Sequence, residues 1–164
     1  MPMNQSLVAE FQHESDNTRR MLERVPDEHF SWKPHEKSYS LHHLAMHIAQ
    51  MAGWAKVTIE QDELDFSKQE FEWPEVNSTR QLMELFEKHR EEAIGSLQQV
   101  TDEELMKPWT LRNGPQVFFT MPKMVVLRSM VFNHIIHHRG QLSVYLRLLN
   151  VPLPGIYGPS ADEQ

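Results

Sequence analysis

The sequence predicts an all-α fold, a four-helix bundle with a long connection before its last helix. Three observations carry that prediction. Apolar residues recur at three- and four-residue intervals over four stretches, roughly residues 4–25, 40–62, 78–99 and 122–150. The stretches are divided by connections that hold proline, glycine or mixed polarity. Their ends carry helix-start and helix-stop chemistry.

In the first stretch Leu7, Phe11, Met21, Leu22 and Val25 share a face, and Pro26 brings the helix to an end. Ser40 reads as the N-cap of the second, whose inward residues are Leu41, Leu44, Ala45, Ile48, Met51, Ala52 and Ala55. The segment "DFSKQEFEWPEVNS" reads as a connection ordered in part by Phe71 and Trp73. A capping box, Ser78-Thr79-Arg80-Gln81, opens the third helix, with Leu82, Leu85, Phe86, Ala93 and Leu97 inward. The stretch "TDEELMKPWTLRNGPQVFFTMP" is the long connection. The fourth helix starts near Pro122, a residue the first turn tolerates, and the tail "VPLPGIYGPSADEQ" is too rich in proline and glycine to extend it. A short echo, "VPDEHFSWKP" at 25–34 and "VTDEELMKPW" at 100–109, fits two helix-hairpin units, or a chance recurrence of helix-start residues.

A length of 164 residues suits one domain, residues 1–164. Hydrophobic residues at 40% and charged residues at 24%, well dispersed, exclude the disordered and membrane classes. No leader pattern opens the chain and no apolar run nears the roughly 20 residues a bilayer needs, so a cytoplasmic protein is expected. The absence of cysteine removes disulfides, thiolate ligands and a cysteine nucleophile. A net charge of -7 without a Lys/Arg block argues against nucleic acid as a partner.

The segment "NHIIHHRGQL" sets three of the chain's ten histidines on the fourth helix. At about 100° per residue, His138 falls near the centre of the stripe formed by Met124, Leu127, Val131, Ile135, Leu142, Tyr145 and Leu149, and His134 lies within roughly 60° of it. His137 is turned about 100° away, to the flank, and reads as a bystander. On the second helix His47 is at the edge of the stripe beside Met51 and Trp54, while His42 and His43 are rotated roughly 130° away. The i, i+4 pair His134 and His138 can approach one ion, and His47 can complete an open three-histidine set. Burial adds weight, because enclosed imidazoles need partners that a metal supplies. The alternative is a chance pair in a histidine-rich chain. Three imidazoles accept zinc, nickel, copper and iron alike. A di-iron site is excluded, since Glu10-Phe11-Gln12-His13 is a lone Glu-x-x-His and the fourth helix offers no inward glutamate.

With these residues in view, the chain resembles the DinB/YfiT-like superfamily of metal-binding four-helix bundles. The resemblance rests on "SLHHLAMHIAQM", "NHIIHHRGQLSVYLRLLNVPLP" and the tail "IYGPSADE". It implies a divalent metal, usually nickel or zinc, on one histidine of the second helix and the i, i+4 pair of the last: His47, His134 and His138. It implies a homodimer, in which Gly140 and the outer face of the last helix pack. It also implies, for some relatives, a thiol-dependent transferase or isomerase in which the metal activates a low-molecular-weight thiol toward a small-molecule substrate. A metal-dependent hydrolase and a non-catalytic metal- or ligand-binding module stand as alternatives.

Other residues are weighed beside these. Glu14, near the centre of the first helix's stripe, and Asn17, at its edge, are candidates for supporting the ligands or binding substrate, or else their polar heads reach water. Trp54 is a pocket candidate, whereas Trp32, Trp73 and Trp109 read as packing residues. Tyr157 folds back over the mouth of the site, or the tail that carries it is disordered or clasps a dimer. Arg139, off the stripe centre, reads as a surface or interface ion pair more readily than as an anion site.

Overall fold

The computed structural model describes residues 2–68 and 74–163. The expectation for Phe71 and Trp73 therefore concerns residues outside those described.

Helix α1 spans Met3–Leu22 and buries Leu7, Phe11, Met21 and Leu22. A 3₁₀ turn at Asp27–His29 follows. Helix α2, Leu41–Met51, begins where Ser40 Oγ accepts from the His43 amide at 3.1 Å, which satisfies a donor that has no partner inside the helix. Helix α3 is Trp54–Glu60 and strand β1 is Glu63–Asp65. Helix α4, Thr79–Gln99, opens on its box: Ser78 Oγ accepts from the Gln81 amide, and Gln81 Oε1 accepts from the Asn77 amide at 2.7 Å. Short α5, Asp102–Leu105, is capped by Thr101. Strands β2, Pro108–Asn113, and β3, Gln116–Pro122, form a hairpin. The last helical run is α6, Lys123–Val126, a π-helical stretch at Leu127–Phe132, and α7, Asn133–Leu148. The echo marks a shared local feature, a short helical turn after a long helix.

The bundle is formed by α1, α2, α4 and the α6–α7 run. Helix α1 packs on α4 and α7, α2 packs on the same two, and α3 lies against α4. Their apolar faces make one core that includes Phe11, Leu44, Ile48, Phe86, Leu127 and Leu142.

Two features correct the expectation of a pure all-α bundle. The long connection is not irregular: among the described residues a three-stranded sheet forms in the order β1-β2-β3, β1 parallel to β2 and β2 antiparallel to β3. Its two-residue turn is Gly114-Pro115, between the paired Asn113 and Gln116, with Gly114 at φ +57, a backbone region open to glycine and costly for other residues. Asp65 Oδ1 secures that turn from β1 by accepting from the amides of Gly114 and Ser67 and from Ser67 Oγ. These bonds hold the Asp65 carboxyl far below the ordinary carboxylate range. Beneath the sheet Leu64, Trp109, Leu111 and Val126 form a second small core.

The predicted second helix is in fact two, broken after Met51. His89 of α4 donates from Nδ1 to the Ala49 carbonyl at 3.1 Å, and a Cβ at Gly53 would lie 3.2 Å from its ring. Gly53 gives that ring room. The end of β3 is anchored by Lys123, whose buried ammonium donates to the Ile59 carbonyl at 2.8 Å and Glu104 at 2.6 Å and pairs with Asp62 at 3.1 Å. Among the described residues no helix is long and apolar enough to cross a membrane.

Candidate metal centre

His47 is carried by α2, and His134 and His138 by the first turns of α7, where α2 and α7 pack together. One ligand-type atom from each of the three lies within 4.8 Å of the others, and His47 Nε2 is 3.5 Å from His134 Nε2. Ring centroids are 5.2 Å apart for His47 and His134, and 4.6 Å for His47 and His138 and for His134 and His138. A tetrahedral ion with bonds of about 2.0–2.1 Å separates its ligand nitrogens by about 3.3 Å. The group is therefore close to ion-sized, and the three histidines could hold a metal. Among the described residues this group contains histidine alone.

Hydrogen bonds on the far side of the rings leave nitrogen lone pairs available. His134 Nδ1 faces the Met130 carbonyl at 3.3 Å, and His138 Nδ1 faces Gln141 Oε1 at 2.7 Å. Both oxygens accept, so both Nδ1 atoms carry the proton and both Nε2 atoms are bare. A proton on His47 Nε2 can serve one bare nitrogen; a cation serves all. Burial, followed by the fields of His138 and His134, pulls His47 down to about 4. Burial also lowers His134, helped by His138, and lowers His138. The trio is thus neutral near neutral pH, the state that ligates metal.

The model of the DinB family matches residues 1–164. The chain belongs to the DinB family. It is 28% identical over 149 residues to the uncharacterized protein YjoA of Bacillus subtilis (strain 168), covering 90% of this chain and 91% of that one. It is 25% identical over 154 residues to the uncharacterized protein YrdA of the same strain, covering 93% and 87%. The fold is shared with the crystal structure of the DinB-like protein YjoA from Bacillus subtilis, at TM-score 0.75 and 23% identity over 94% of this chain and 99% of that one. It is shared too with a DinB-like protein from Bacillus cereus ATCC 10987, at TM-score 0.71 and 24% identity over 93% and 97%.

In this DinB-family chain the remaining histidines of the two helices are placed as the helical angles placed them. His42 Nε2 donates to the Val76 carbonyl at 2.8 Å, His43 stacks on Tyr39, and His137 is exposed. Of the two readings of Glu14, the one in which its head reaches water is corrected: its side chain is only 13% exposed and is engaged within the protein. Its Oε2 accepts from Arg139 and from Tyr157 OH, each at 2.7 Å. Arg139 makes the expected ion pair, but with Glu14 and not at the surface, since it is only 3% exposed. It also donates to Thr18 Oγ1 and the Glu14 carbonyl. The reason is that α7 packs against α1 as well as α2, so its buried arc is wider than a single stripe. Asn17 is buried beside His13 at 3.3 Å. Trp54 packs at the junction of the two apolar clusters. Tyr157 folds back onto α1 through Glu14. Sequence reasoning missed Gln141, whose signal was its place three residues beyond His138 on one helical face.

Proposed function

We propose that this DinB-family protein is a metal-dependent enzyme of the thiol-dependent transferase type. His47, His134 and His138 hold one divalent ion, nickel or zinc, and a low-molecular-weight thiol is the co-substrate for a small-molecule electrophile. The single observation that carries the reading is the convergence of three neutral, partly enclosed imidazoles on one ion-sized space. Held by these three histidines, such an ion supplies an open position and the Lewis acidity that lowers the pKa of a thiol placed there.

The surrounding residues support thiol transfer over hydrolysis. Hydrolysis asks for a general base near the attacking water. Among the described residues the three-histidine group contains no carboxylate, and Glu14 is already engaged by Arg139 and Tyr157. A metal-activated thiol needs no such base. With no cysteine in the chain, the thiol comes from outside. The proposal includes a homodimer through the outer face of α7, where Gly140, Val144 and Leu148 are exposed at four-residue spacing.

Elemental analysis of untagged protein, wild type beside His138→Ala, tests the site. About one equivalent of metal in the wild type and its loss in the variant are expected; a wild type without stoichiometric metal would sink the proposal. Incubation with cellular thiols and an electrophile then tests the reaction. A conjugate that forms with metal and stops with chelator is expected, whereas metal-dependent ester cleavage without thiol would replace transfer by hydrolysis.

A further inference from the structure

We infer that Gln141, itself oriented by His137, fixes the tautomer and direction of the His138 ring and so sets how tightly the three-histidine site binds a divalent ion. This rests on the metal-site reading above and assigns two positioning residues outside the ligand set.

Gln141 lies on α7 one turn beyond both histidines, and its two amide ends face different rings. Oε1 is 2.7 Å from His138 Nδ1, and Nε2 is 3.2 Å from His137 Nε2. The two ends have opposite chemistry: the oxygen accepts only, the nitrogen donates only. With the oxygen toward His138, the proton of that ring is held on Nδ1 and Nε2 is left bare for a metal. With the amide turned over, its N–H groups would face Nδ1 and drive the ring proton onto Nε2, where it blocks ligation.

Gln141 is exposed, and water competes for an exposed amide in either orientation. His137 breaks the tie. Its Nε2 can accept from the amide nitrogen, and accepting there holds the oxygen end against His138. The rings of His137 and His138 are also in contact, with centroids 4.9 Å apart. His137 therefore acts on the site through Gln141 and not as a ligand. That differs from its sequence reading as a bystander.

Ligand-orienting partners of this kind change metal affinity by about 10–100-fold. The test titrates metal-free protein with zinc against a chromophoric chelator at mildly alkaline pH, with thermal unfolding as a check on the fold. Gln141→Leu should bind about 10–100-fold more weakly than wild type. Gln141→Glu keeps an acceptor for His138 Nδ1 and should restore binding. His137→Phe keeps a ring but loses the acceptor, so it should weaken binding several-fold, yet add nothing in a Gln141→Leu background. Wild-type affinity in Gln141→Leu, failure of Gln141→Glu to rescue, or additive effects of the two sites would each overturn this inference alone. Absence of zinc binding by the wild type would overturn the metal site itself.

Discussion

At the scale of single residues, Arg139 and Glu14 are the most consequential pair outside the histidines. The guanidinium is nearly enclosed and meets Glu14 Oε2 at 2.7 Å, with Thr18 and Tyr157 taking further donors. Removing one partner of such a pair leaves an uncompensated buried charge, at a cost of about 3–5 kcal/mol. Glu14→Ala should therefore lower the unfolding free energy by about that amount in urea titrations, while the folded fraction keeps its metal stoichiometry. Loss of metal at unchanged stability would instead put Glu14 in the service of the ligands. Burial of Arg139 was not legible from its angle on the helix, because which flank of a helix meets a neighbour depends on where that neighbour packs. The inward direction of His47, His134 and His138 was legible, because it follows from helical geometry within each segment.

At the scale of elements, the long helices were read to within a few residues, since periodicity and caps are local. The break before Trp54 was not. It depends on His89, which arrives from another helix to reach the Ala49 carbonyl. The hairpin carried a local signal, Gly114-Pro115, but the sheet also takes in β1 from an earlier part of the chain. Gly140 supplies a test at this scale. Among the described residues nothing lies within 4 Å of a Cβ built there, so they give no steric reason for glycine. Gly140→Ala should raise thermal stability by about 0.5–1 kcal/mol through helix propensity, and weaken self-association measured by light scattering at graded dilution. A fall in the stability of the dilute, unassociated chain would mean that another part of the chain crowds this position.

At the scale of the whole molecule, acid sensitivity follows from the sign of the shifts. His47 ordinarily titrates at 6.5 and is held at about 4, so the unfolded chain takes up the proton first. The stability tied to its neutral form is complete above 6.5 and is lost as pH falls toward 4, and His134 and His138 act in the same direction. Glu104, held at about 2 by Lys107 and Lys123, extends the loss to lower pH. Metal-free protein unfolded in urea should show its stability falling across the histidine window, and a flat profile there would contradict the burial of the trio. Bound metal should make the fall steeper, because protons then compete with the ion. The helices, their caps and the histidines that face inward were written in the sequence, because each depends on residues within a turn or two of one another. The sheet, the broken second helix, the enclosed Arg139 and the Gln141 contact were decided by the tertiary structure. In those cases the chemistry depends on a partner, or on an enclosing surface, that only folding brings within reach.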